Sequence, residues 1–133
     1  MMAAVIAIAL IVVMTAIAPD HPGVELVLWG PARETALLLG AAVLFHRVAL
    51  LSTHHRDSGR VAGILIIGSA FAAAHVLQSG SDALASAPLA FLLTAGAFSA
   101  VSAPTLGRQV FAVFALWLSH AGYNAFVIGA QLR

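Results

Sequence analysis

"QVFAVFALWLSHAGYNAFVIGAQ", Gln109 to Gln131, runs without an Asp, Glu, Lys or Arg. Its length as a helix exceeds the roughly 30 Å of a bilayer's hydrocarbon core, at about 1.5 Å per residue. It therefore reads as a membrane-spanning helix. Yet it carries His120 and, one turn later, Asn124. Residues four apart share a helix face, so both polar groups point the same way from an apolar rod.

The rest of the chain has the same character. Of 133 residues, 62% are hydrophobic and only 8% are charged, and the mean hydropathy is +1.03. A soluble domain of this size has too little interior to hide that much apolar surface. The expected fold class is all-α: a polytopic transmembrane helical bundle of about five membrane helices, forming a single integral membrane domain over residues 1–133. Cysteine is absent, which removes disulfides, thiolate metal sites and a cysteine nucleophile. Lysine is absent too, and a net charge of +1 argues against a nucleic-acid partner. The lipid bilayer is the partner that composition demands.

Five apolar segments are expected, at about 2–18, 31–52, 61–78, 87–103 and 109–131. The first has the small-x-small ending of a signal peptide in "TAIA". It lacks a basic n-region and is followed by Pro19, so it is read as a membrane helix. Pro31 is placed to open the second segment, since a proline in the first turn forfeits no helical hydrogen bond. Gly68 with Ala72, and Gly96 with Ala100, have the small-xxx-small spacing that lets helix backbones approach closely.

Arg47, Arg56, Arg60 and Arg108 flank the second and fourth loops, whereas the first and third hold mainly Asp20, Glu25 and Asp82. The positive-inside rule then puts the N-terminus in the cytoplasm and the C-terminus outside, with Arg133 the one dissenting charge.

Ionisable groups at membrane depth are costly, and they face a bundle interior or a water-filled cavity. In this topology Glu34 opens the second segment, His75 lies near the outer end of the third, and His120 and Asn124 lie in the middle and outer part of the fifth. All four fall in the outer half of the bilayer. A histidine and an amide on one face can donate two hydrogen bonds to one oxyanion. A carboxylate beside a histidine can activate water as a general base. His46 and Arg47 belong to the cytoplasmic end, where Arg47 snorkels to the headgroups. His54 and His55 lie in a polar loop and lack a third metal ligand nearby. Trp29 reads as interfacial belt and Trp117 as packing. Tyr123, Ser119, Thr94, Ser99 and Ser102 read as ordinary helix residues.

The order Glu34, "FAAAH" (71 to 75), "HAGYN" (120 to 124) resembles the CPBP family. Its members are CAAX-prenyl endopeptidases and bacteriocin-processing proteins, also called glutamic-type intramembrane proteases. The family's motifs are Glu-Glu-xxx-Arg, Phe-xxx-His and His-xxx-Asn or Asp on successive helices. The second and third match in full, and the resemblance covers about Pro31 to Ile128. The first departs: in "RETALLLG" Thr35 stands for the second glutamate and Leu39 for the arginine.

The resemblance implies that Glu34 and His75 are catalytic in activating water, and that His120 and Asn124 hold the oxyanion. No cofactor and no metal are implied. The expected function is that of an intramembrane endopeptidase, cleaving a membrane-anchored peptide or protein near the outer face of a bacterial inner membrane. Association with other membrane subunits is compatible with this. An alternative is a non-catalytic accessory subunit of a larger membrane complex, in which His75 or His120 ligates haem or a pigment. A third account has each polar residue merely bonding a neighbouring helix, at about 0.6 kcal/mol per contact.

Overall fold

The computed structural model describes residues 25–50, 56–80 and 86–131, with Val5, Ala9 and Gly23 as isolated positions. The expected first membrane helix, at 2–18, lies outside the described residues, as do His54, His55, Asp82 and Arg133. Every element among the described residues is helical. A π-helical turn, Glu25–Trp29, leads into α1 (Gly30–Leu50). It is followed by α2 (Arg56–Ser79), α3 (Ala87–Ser102) and α4 (Leu106–Gln131).

Three stretches are long and apolar enough to cross a membrane: Glu25–Val48, Asp57–Leu77 and Leu106–Ala130. Their outward faces carry large apolar side chains, Leu37, Leu44, Leu77, Phe111 and Phe126 among them. Apolar surface on that scale belongs against lipid. Of the about five membrane helices expected, the described residues hold three of spanning length and one shorter apolar helix.

The shorter helix is the centre of the bundle. At 16 residues, α3 extends about 24 Å, less than the hydrocarbon thickness. It packs against α1, α2 and α4 together and buries Ala90, Leu93, Thr94, Ala97, Phe98 and Ala100. A helix apolar on all sides belongs inside a bundle. Three neighbours cover most of its length, although Leu92 still faces outward. Its ends have local causes. Pro88 occupies the first turn, where the missing N–H is harmless. Pro104 forces the preceding Ala103 out of the helical region, and Ala103 is extended at φ −64°, ψ 137°.

Two helix starts come earlier than the apolar pattern suggests. α4 begins at Leu106 rather than Gln109 because Thr105 caps it: the Arg108 N–H donates to Thr105 Oγ1 at 3.4 Å, and the Gln109 side chain ties back to the Ala103 carbonyl at 2.8 Å. α2 begins at Arg56 rather than Val61. Its first turn is polar, and Asp57 complements the positive end of the helix dipole there. Gly80 closes α2 in the left-handed region, at φ 77°, with its N–H donating to the Val76 carbonyl at 2.8 Å.

Close packing relies on small residues. A Cβ at Gly68 would lie 2.6 Å from the Phe91 ring, and one at Gly96 would lie 2.8 Å from Leu116. These glycines bring α2 against α3 and α3 against α4, as the small-xxx-small spacing predicts. Gly63 does the same for a third contact, between the rings of Phe45 and Phe98, which themselves meet edge to face at 6.2 Å. Three hydroxyls on the helices satisfy themselves locally: Thr94, Ser99 and Ser119 each donate to the carbonyl four residues earlier.

Candidate functional site

The turn before α1 sets the position of Glu34. In a π-helix the carbonyl of residue i accepts from the N–H of residue i+5. Five residues after Leu26 comes Pro31, which has no N–H to give. Asn124 of α4 replaces it, donating from Nδ2 to the Leu26 carbonyl at 3.1 Å. Trp117, about two turns nearer the start of α4, donates from Nε1 to the Leu28 carbonyl at 3.1 Å. Trp117 therefore holds the turn as well as packing against Phe114, whose ring is 5.5 Å away. Arg33 and Glu25 close the outer side of the turn with a 2.7 Å ion pair. Trp29 is half-buried, and its Nε1 is buried without a hydrogen-bond partner among the described residues.

Glu34 follows in the first turns of α1 and reaches the space between α2 and α4. Its Oε2 lies 3.0 Å from His120 Nε2 and 3.5 Å from His75 Nε2. The His120 side chain is only 3% exposed, whereas Glu34 and His75 are 28% and 27% exposed. The distances are short, but Oε2 is buried and makes no aligned hydrogen bond with either ring. A hydrogen bond weakens steeply off its axis, so the short separations alone do not make one.

Phe71 organises the two imidazoles. The His75 ring lies edge to face with it at 4.5 Å, and the His120 ring does so at 6.1 Å. Its carbonyl also accepts from His75 Nδ1 at 3.0 Å. A carbonyl only accepts, so the proton of neutral His75 resides on Nδ1, and Nε2 presents a lone pair toward Glu34. Thus Phe71 and His75, one turn apart on α2, act as one unit. His120 Nδ1 is buried without a partner.

On the far side of the imidazoles is a cavity of about 30 Å³, bounded by α2, α3 and α4. That is room for about one or two water molecules. His75, His120, Asn124, Tyr123 and Ser86 supply its polar wall, and Phe71, Leu89, Ala90 and Leu93 its apolar wall. Glu34 is not in this wall and meets the cavity through the two histidines.

Of the residues singled out from sequence, Glu34, His75 and His120 come into contact, and Asn124 lines the cavity beside the histidines. One of the two Asn124 amide hydrogens is engaged by the Leu26 carbonyl. His46 lies on α1, three turns from Glu34 along the helix, and does not join them. Two wall residues were not among the candidates: Tyr123, read as an ordinary helix residue, and Ser86. Tyr123 sits three positions after His120, on the same face, so its place was readable from spacing. Ser86 comes from the start of α3, which only the packing of that helix brings here.

Comparison with models of known protein families, with curated proteins and with solved structures finds no match.

Proposed function

We propose that this chain is a membrane-embedded peptidase of the glutamic type, akin to the CPBP family, and that it hydrolyses a membrane-anchored peptide or protein. The observation that carries the proposal is the convergence of Glu34 Oε2 on His120 Nε2 at 3.0 Å and His75 Nε2 at 3.5 Å. Paired acid–base groups beside a water-sized cavity are what general-base hydrolysis requires.

In the proposed reaction a water seats against both His75 Nε2 and Glu34 Oε2. Its oxygen attacks the scissile carbonyl carbon and its proton passes to Glu34. The carbonyl oxygen becomes an oxyanion, held by an N–H of His120 and the remaining amide hydrogen of Asn124. Each good donor of this kind contributes about 3 kcal/mol. The tetrahedral intermediate then collapses, the C–N bond breaks, and Glu34 returns the proton to the departing amine.

The departures in the first motif are compatible with this role. Thr35 and Leu39 stand four residues apart on α1 and are both fully buried. A glutamate and an arginine there would form a buried ion pair, and exchanging such a pair for uncharged residues is often neutral or stabilising. Both charges are absent together, so neither is left stranded. The site would face the outside of a bacterial inner membrane, with the N-terminus cytoplasmic, as the arginine distribution favours. A five-helix bundle would include the segment 2–18.

The pigment- or haem-binding alternative fits less well. The ligating atoms of His75 and His120 converge on a carboxylate within 4.8 Å, beside a cavity far too small for a macrocycle. The deciding experiment compares membrane proteomes of cells carrying the native chain and Glu34→Ala. A membrane protein that is shortened only with the native chain supports the proposal. Identical proteomes reject it.

A further inference from the structure

We propose that Arg60 and Ser99 form the headgroup end of a binding site for an anionic phospholipid, seated in the seam between α2 and α3.

The register of the two helices defines the seam. Ser99 of α3 meets Arg60 of α2, the Phe98 ring lies against Gly63, and the Phe91 ring lies against Gly68. The helices therefore run antiparallel, with Ala95 level with Ile64 and Leu92 level with Ile67. On α3 the exposed positions are Pro88, Leu92, Ser99 and Ser102, with Ala95 half-buried among them. Steps of three and four residues mark one helix face, so this stripe is the part of α3 that its neighbours leave open. From Ser99 to Leu92 it is about 10 Å long. Only a methyl group fills it at Ala95, and half-buried Ile64 and Ile67 border it from α2.

Arg60 closes one end of the stripe. Its Nη2 donates to Ser99 Oγ at 2.7 Å, and that hydroxyl spends its own hydrogen on the Ala95 carbonyl at 2.9 Å. Ser99 is thus fixed as an acceptor. An exposed arginine at a membrane boundary ordinarily stretches toward water, but this one folds across onto α3. A guanidinium has five N–H donors, and no other side-chain bond of Arg60 is made among the described residues. The rest of its planar fork matches two oxygens of a phosphate.

The depth suits a headgroup. Arg60 precedes His75 by 15 residues, about 22 Å along α2. Arg47 follows Glu34 by 13 residues and Arg108 precedes His120 by 12, about 20 and 18 Å away. Glu34 lies against both histidines, so the three arginines occupy one level, near the opposite boundary of the bundle. A cationic end of this kind attracts an anionic lipid surface. The Arg60–Ser99 bond adds a fixed donor geometry to that attraction. The apolar stripe running inward from it takes an acyl chain, which free phosphate lacks. None of this involves the Glu34 site or depends on its chemistry.

The test is native mass spectrometry of the detergent-purified full chain with phosphatidylglycerol, or with phosphatidylcholine of the same acyl chains. One phosphatidylglycerol per chain should be retained in preference to phosphatidylcholine, and glycerol phosphate should compete weakly. Arg60→Gln should weaken retention by about tenfold, the scale of a charge-assisted hydrogen bond. Arg60→Lys keeps the charge but has no fork to span Ser99 and a phosphate, and Ser99→Ala removes the anchor; both should also weaken it. Arg108→Gln should leave it within about twofold. Arg60 and Ser99 are exposed, so these variants should unfold in detergent at the native temperature. Equal retention of the two lipids overturns the site, as does glycerol phosphate competing as strongly as the whole lipid. Native-like retention in both Arg60→Lys and Ser99→Ala, or an equal loss in Arg108→Gln, reduces the effect to diffuse surface charge and overturns it too.

Discussion

Asn124 Nδ2 donates to the Leu26 carbonyl at 3.1 Å, joining positions 98 residues apart. The bond ties α4 to the turn that delivers Glu34. It completes a carbonyl that Pro31 leaves without its π-helical donor, and Trp117 adds a second tether at Leu28. Glu34 and His120 thus meet beside a point where their two helices are pinned together, one turn along α4 from His120.

Asn124→Asp tests that pin. It is nearly isosteric but replaces the donating amide by a carboxylate facing a carbonyl. The expected loss is about 1–3 kcal/mol of stability, from one lost hydrogen bond and the acceptor left unpaired. Thermal unfolding in detergent measures it. Stability equal to the native chain would show that the turn is held without Asn124.

Glu34→Gln keeps the size of the side chain and removes the carboxylate proposed as the base. Cleavage of the native substrate should fall by about 10²-fold or more, the scale of general-base catalysis, while the unfolding temperature stays close to native. The readout is the ratio of full-length to shortened substrate in membranes. Undiminished cleavage would remove Glu34 from the proposed chemistry.

Much of this contact is legible in the sequence, for identifiable reasons. Glu34, His75 and His120 are expensive residues in an apolar chain, so each marks an inward face. The arginine distribution leads one to expect all three in the same half of the bilayer. The i, i+4 spacing of Phe71 and His75 foretells that they share a face, although not that the Phe71 carbonyl fixes the His75 tautomer. The π-helical turn is illegible: "ELVLW" has no pattern distinguishing it from an ordinary first turn, and its geometry depends on Asn124 and Trp117 far along the chain. The central place of α3 is equally hidden. Its sequence says only that it is apolar throughout, which suits lipid as well as protein. The cap at Thr105 was within reach, because a threonine just after Pro104 and before an apolar run is a helix-start signal.

Gly68→Ala and Gly40→Ala should move stability in opposite directions. A Cβ at Gly68 would stand 2.6 Å from the Phe91 ring, whereas at Gly40 nothing lies within 4 Å. Overpacking at the first position should cost about 1–3 kcal/mol. At the second, alanine should gain up to about 1 kcal/mol from helix propensity. Unfolding of the two variants side by side decides the matter. Equal effects would mean that α2 and α3 are not in the contact described.

Thr35→Val probes the position where the resemblance leads one to expect a glutamate. Thr35 is fully buried, and its Oγ1 has no hydrogen-bond partner. A threonine on a helix ordinarily bonds back to the carbonyl four residues earlier, here that of Pro31, but Thr35 does not. Burying an unpaired hydroxyl costs about 1–3 kcal/mol. Valine keeps the branched shape and removes the hydroxyl, so the variant should be at least as stable as the native chain, with a gain of about 1 kcal/mol. Glu34 and the histidines keep their surroundings, and cleavage should be unchanged. A marked loss of stability would mean that the hydroxyl has a partner, for which a buried water bridging to the site is the simplest chemical candidate. Loss of cleavage with stability intact would instead make Thr35 a positioning residue for Glu34, taking over part of the work of the missing carboxylate.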